Sequence, residues 1–114
     1  MGRRKPKEIP GTPLPAEFDE RSNALLLSAE MKDDVPNVDL HGMDAYDAEQ
    51  KVSEAIDKAF MNGTEVLRVI HGDGRGVLRK AVRELLAKHQ FIVAWRPAPG
   101  AQGAGVTHAV IERM

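Results

Sequence analysis

From residue 38 onward the apolar positions keep two alternating rhythms. Val38-Asp39-Leu40 steps apolar, polar, apolar, the period of a strand with one buried face. Ala45, Ala48, Val52, Ala55, Ile56, Ala59 and Phe60 then return every three or four residues, which is the stripe of an amphipathic helix. Asp44 stands where an N-cap accepts from the first turn, Asp47 adds negative charge there, and Asn62-Gly63 supplies a stop. Residues 65–70 read as a second strand. Three alternating glycines follow, and a second helix runs from about Val77 to Lys88 with Leu78, Val82, Leu85 and Leu86 on its buried side. Phe91–Trp95 and Val106–Ile111 read as two more strands, and the Pro97–Gly105 stretch between them, lacking any apolar pattern, as a mobile loop.

The element order is therefore β-α-β-α-β-β, an α/β domain with a four-stranded mixed sheet and two main helices. Two β-α-β crossovers imply parallel strands with right-handed connections, and the final pair can run antiparallel. Residues 37–114 are read as the domain and 1–36 as an N-terminal extension, partly disordered. Pro6, Pro10, Pro13 and Pro15 make 1–16 a loose arm, whereas Ala24–Met31 docks as a short helix or strand whose period is too short to choose between them.

Composition adds limits. The 114 residues have a formal net charge of −1 and no cysteine, so neither a disulfide framework nor a thiolate metal site is available, which fits a reducing cytoplasm. No apolar run approaches the roughly 20 residues of a membrane span. The near-zero charge hides an asymmetry. Residues 64–114 hold eight basic groups (Arg68, Arg75, Arg79, Lys80, Arg83, Lys88, Arg96, Arg113) against four acids, a distribution suited to an anionic partner.

The chemistry gathers at two strand ends. Val66–Ile70 delivers the chain into His71-Gly72-Asp73-Gly74-Arg75-Gly76 and then a helix N-terminus, where free N–H groups and the helix dipole favour an anion and the missing β-carbons let a phosphate approach. His41 ends the first strand, with Asp39 two residues earlier on the same face. If these parallel strands are neighbours, both histidines open at the ligand-binding end of the sheet. Imidazoles titrate near neutrality, so His41 and His71 can serve as base and acid on a phosphodiester, with Asp39 orienting His41. Gly72, Gly74, Gly76, Arg75, Arg79 and Lys80 are the candidate phosphate contacts. On RNA the 2′-hydroxyl is an internal nucleophile and no metal is required. On DNA a metal-activated water is the alternative, with magnesium or manganese bound transiently through Asp39 and phosphate oxygens. No Lys-Ser or Lys-Thr follows the glycines, which excludes a P-loop, and their spacing is not that of a dinucleotide fold. His89 at a helix end, His108 in mid-strand and Trp95 read as structural.

Val38-Asp39-Leu40-His41-Gly42-Met43, Ile70-His71-Gly72-Asp73-Gly74-Arg75-Gly76-Val77-Leu78-Arg79 and Gly103-Ala104-Gly105-Val106-Thr107 together resemble the Smr (small MutS-related) domain family, whose stand-alone members include D-L-H-G forms. Many members carry lysine where this chain has Asp73, and Arg75 is the substitute contact. The resemblance implies a two-layer sandwich like the C-terminal domain of translation initiation factor three, with both helices on one sheet face. It implies endonuclease activity as well: members fused to MutS paralogues nick DNA, and stand-alone members are associated with mRNA cleavage at ribosomes. The expected protein is a monomeric cytoplasmic endonuclease of RNA or of structured or nicked DNA. Its rivals are a non-catalytic nucleic-acid- or ribosome-binding module and a nucleotide-binding regulator.

Overall fold

Alternation and helical period translate directly into layers. In the computed structural model, which describes residues 20–31, 34–72, 76–99 and 105–112, the elements are α1 (Glu20–Met31), β1 (Asn37–Asp39), α2 (Ala45–Met61), β2 (Val66–Ile70), α3 (Val77–Lys88), β3 (Ile92–Pro97) and β4 (Val106–Ile111). The expected loose arm at 1–16, the turn residues Asp73, Gly74 and Arg75, and the loop residues 100–104 lie outside the described residues. Asp44 is the N-cap of α2, its carboxylate accepting from the Asp47 N–H at 2.8 Å, a bond that typically stabilises a helix by about 1 kcal/mol.

The strands form one mixed sheet in the order β1-β2-β4-β3. β1 and β2 are parallel, and β4 runs antiparallel to both of its neighbours, β2 and β3. β1, β2 and β3 therefore point the same way with β4 inserted between the last two. The carboxyl ends of β1, β2 and β3 and the start of β4 consequently share one end of the sheet. On one face, Val38, Leu40, Leu67, Val69, Ile92, Trp95, Ala109 and Ile111 pack against Ala48, Val52, Ile56 and Ala59 of α2 and Val82 and Leu86 of α3. A β-bulge between Ile92 and Ala94 shifts the register, so that both Ile92 and Trp95 reach that layer. The structural reading of Trp95 holds, since it is 1% exposed within this core.

The segment at 24–31, open between helix and strand in the sequence, is part of α1 and lies on the opposite face. Its amphipathicity is weak, and it buries only Ser22, Leu26 and Ala29; Leu26 packs against Ala94 and Val110. Arginines complete the attachment. Asn37, Arg68, His108 and Arg96 are consecutive register partners across all four strands, a polar row on the α1 side. Arg68 donates through Nε to His108 Nε2 at 3.2 Å and through Nη2 to the Ala29 carbonyl at 3.1 Å, near the C-terminal end of α1. Arg96 donates to Asn23 Oδ1 at 2.9 Å, and Arg21 pairs with Glu65. His108, 3% exposed, is thus a buried acceptor.

Candidate active site

The ladder between β1 and β2 continues one step past the strands, with the Leu40 N–H donating to the Ile70 carbonyl at 2.8 Å. His41 follows on an exposed turn closed by Met43 N–H to the Leu40 carbonyl at 3.1 Å. Asp39 Oδ1 accepts twice from His41, from the backbone N–H at 3.1 Å and from Nδ1 at 3.0 Å. A carboxylate receiving Nδ1–H fixes the neutral ring in the tautomer that leaves the Nε2 lone pair free. That ring is 79% exposed. The hydrogen bonds from His41, the side chain's first and then the backbone's, hold the Asp39 carboxyl below its usual range. Lys51 of α2 adds a third group, its Nζ donating to the Asp39 carbonyl at 3.2 Å.

The end of β2 is built differently. His71 is 3% exposed, and its ring is spent on the protein. The Gly72 carbonyl, 2.9 Å from Nδ1, only accepts, so Nδ1 carries the proton. Nε2, at 2.9 Å, then accepts from the Thr107 hydroxyl. Burial pushes this imidazole below its ordinary value near 6.5, the Gly72 carbonyl opposes that, and the Arg83 and Arg79 charges reinforce it. The backbone N–H groups of His71 and Gly72 both donate to the Gly105 carbonyl, at 2.9 and 3.1 Å, tying this turn to the start of β4. Gly72 has φ +82°, a conformation glycine takes without strain, and Gly76 with φ +83° caps α3. There is no acid in the first turn of α3. A methyl group at Gly76 would come within 2.7 Å of Arg79 Nη2, so the guanidinium lies over the cap.

Asp39 and His41 are therefore together as expected, and Gly72, Gly76 and Arg79 surround the α3 N-terminus. Lys80 is exposed on the same turn of α3, and Gly74 and Arg75 lie outside the described residues. His71 has a different setting from the one its spacing suggested. The expected acid–base pair needs two reachable imidazoles, and His71 has both nitrogens bonded inside the protein. Its ring turns towards Thr107, which shares a strand face with Ala109 and Ile111 under α2 and α3. Thr107 enters the sequence reading only as the end of the Gly103–Thr107 segment, with no role of its own, and Lys51 carries no signal there. Threonine is an ordinary strand residue and lysine an ordinary helix-surface one, and each acquires its role only through contacts far along the chain. Among the described residues, no group of three or more His, Asp or Glu side chains is placed to hold a metal ion.

A family model described as the Smr domain matches residues 38–112. Endonuclease MutS2 of Thermus thermophilus is 36% identical over 104 residues, 90% of this chain but 13% of that protein. Endonuclease MutS2 of Clostridium beijerinckii is 41% identical over 71 residues, 61% of this chain and 9% of the relative. The chain thus spans about a tenth of the length of these relatives. Among solved structures, the Smr domain of Thermus thermophilus MutS2 matches with a TM-score of 0.66 and 35% identity, covering 68% of this chain and 99% of that one. YdaL, a stand-alone small MutS-related protein from Escherichia coli, gives a TM-score of 0.66 at 19% identity over 77% of this chain and 75% of its own, a likeness of fold.

Proposed function

This chain belongs to the Smr domain family, and from that premise we propose that it is an endonuclease cutting phosphodiester bonds in RNA or in structured or nicked DNA. The observation that carries the reading is the 3.0 Å contact between Asp39 and a largely exposed His41 after β1, next to the end of β2, where the His71 and Gly72 N–H groups are pinned by the Gly105 carbonyl. The names of the MutS2 relatives, which are called endonucleases, support it.

In this mechanism His41 Nε2 takes the proton from the attacking oxygen as that oxygen bonds to phosphorus, and Asp39 accepts the Nδ1–H and stabilises the imidazolium that forms. The phosphorus–oxygen bond to the leaving nucleoside breaks, the departing oxygen takes a proton from solvent, and the imidazolium returns its own to water. The attacking oxygen is the ribose 2′-hydroxyl in RNA and a water in DNA. The phosphate sits against the Gly72–Gly76 turn and the first amides of α3, with Arg79, Lys80 and Arg75 meeting the negative charge that develops on its oxygens. His71 holds the turn in shape from within and acts as a positioning residue. No cofactor is needed for attack by the 2′-hydroxyl. A magnesium or manganese ion used on DNA would be held by Asp39 and the substrate's own phosphate oxygens.

Matched end-labelled RNA and DNA oligonucleotides, incubated with the full chain with and without EDTA, test the proposal. RNA cut to a 2′,3′-cyclic phosphate in EDTA is the expected result for the route through His41. Cutting that EDTA abolishes would assign the reaction to a metal-activated water. Binding of every oligonucleotide with no cutting would overturn the endonuclease reading in favour of a recruiting module.

A further inference from the structure

Four residues beyond Arg79, one helical turn along the same face of α3, stands a second arginine, Arg83. The Arg83 guanidinium carbon lies 5.7 Å from the centroid of the Trp95 ring. Arg83 Nε and Trp95 Nε1 are both buried, and neither has a hydrogen-bond partner among the described residues. No carboxylate pairs with Arg83 among those residues either. Burial, and after it the charge of Arg79, pulls the Arg83 guanidinium below its ordinary value. The Arg83 charge also helps to hold the His71 imidazole below its ordinary value, ahead of that of Arg79.

A half-buried cation beside a like charge, over an aromatic ring and facing no anion among the described residues, is costly unless something supplies the missing charge. Phosphate does so, and guanidinium is the side chain best shaped to receive it. One turn of helix advances about 5.4 Å, of the order of the step between neighbouring phosphates on a single strand. We propose that Arg83, held over Trp95, is a second phosphate-binding residue of this site and receives the nucleic-acid phosphate next to the one on the glycine turn. This rests on the nucleic-acid reading of the turn and does not require that His41 cut.

Trp95 is the only tryptophan in the chain, so its emission reports on the guanidinium beside it. Titrating the full chain with a single-stranded oligonucleotide, and separately with inorganic phosphate, should give a saturable change in tryptophan emission with the oligonucleotide at far lower concentration. Arg83→Met keeps the apolar stem and removes the charge. It should weaken oligonucleotide binding about tenfold, lower the slope of log affinity against log salt by about 1, and raise KM while leaving kcat nearly unchanged. Arg83→Lys, which retains charge without the fork, should keep the salt slope and recover part of the affinity. An unchanged affinity and salt slope in folded Arg83→Met would overturn the proposal, as would flat wild-type emission at saturating oligonucleotide. An emission response and a lowered slope in a protein that never cuts would support Arg83 while refuting cleavage. Cutting with an unaltered KM in Arg83→Met would do the reverse.

Discussion

His41 and His71 follow the carboxyl ends of two neighbouring parallel strands, yet their rings live in different chemistry. One is 79% exposed and bonded on one side only, to Asp39, whereas the other is 3% exposed with both nitrogens engaged. Residue type and strand end are the same. The difference comes from where the partner sits: Asp39 is two residues from His41, while Thr107 reaches His71 across the β2–β4 pairing. A short-range partner leaves the imidazole outside on its turn, and a long-range one draws it into the fold. A histidine at the ligand end of a sheet can thus be the tool or the clamp, and the bonds to its nitrogens decide which.

The sharpest way to break this comparison is to remove each ring. His41→Ala should lower cleavage by about 10²- to 10⁴-fold, the usual worth of a general base, with an unchanged thermal midpoint because the ring packs against little. His71→Ala should reverse the pattern. Stranding the Thr107 hydroxyl and the Gly72 carbonyl should cost about 2–3 kcal/mol in urea unfolding, with cleavage falling as a consequence of the loosened turn. A folded His71→Ala protein of wild-type stability would contradict the clamp.

Smaller effects sharpen the same contrast. Asp39→Asn keeps the shape but exchanges the carboxylate for an amide, and kcat should fall roughly tenfold, the scale for an orienting partner, with stability nearly unaltered because the pair is exposed. The smallest effect is in pH. His71 and His108 are both held below 6.5 by burial, so the unfolded chain binds more protons than the folded one as pH falls below that value. Stability contributed by keeping these rings neutral is therefore complete above about 6.5 and is lost progressively at lower pH, towards the folded-state values. Urea midpoints measured from pH 8 to pH 5 should decline on the acid side, and less steeply in His71→Ala.

What could be read from the chain follows the same division between short and long range. The stripe from Ala45 to Phe60, the Asp44 cap and the helix from Val77 are local patterns, and all are present as expected. The Asp39–His41 spacing is local as well. Strand order is not: nothing in the period of Val106–Ile111 says that it enters between β2 and β3. α1 resisted assignment because Leu25, Leu26 and Leu27 are consecutive, which leaves no clear face, and because its attachment relies on Arg68 and Arg96, distant polar residues of the sheet. His71 stands at the end of β2 as its position in the sequence implies, but the bonds that close its ring are not legible there, because the deciding partner lies at Thr107 across the β2–β4 pairing.

The most direct test of the open and closed histidines is a ¹⁵N and ¹³C NMR titration of the four imidazoles in the intact chain. The expected result is a His71 ring that stays neutral, with its proton on Nδ1, as the pH falls below 6.5 and is undisturbed when an oligonucleotide binds, while the His41 ring resonances shift on binding. A His71 ring that titrates freely near 6.5 and responds to the oligonucleotide, beside a silent His41, would contradict it.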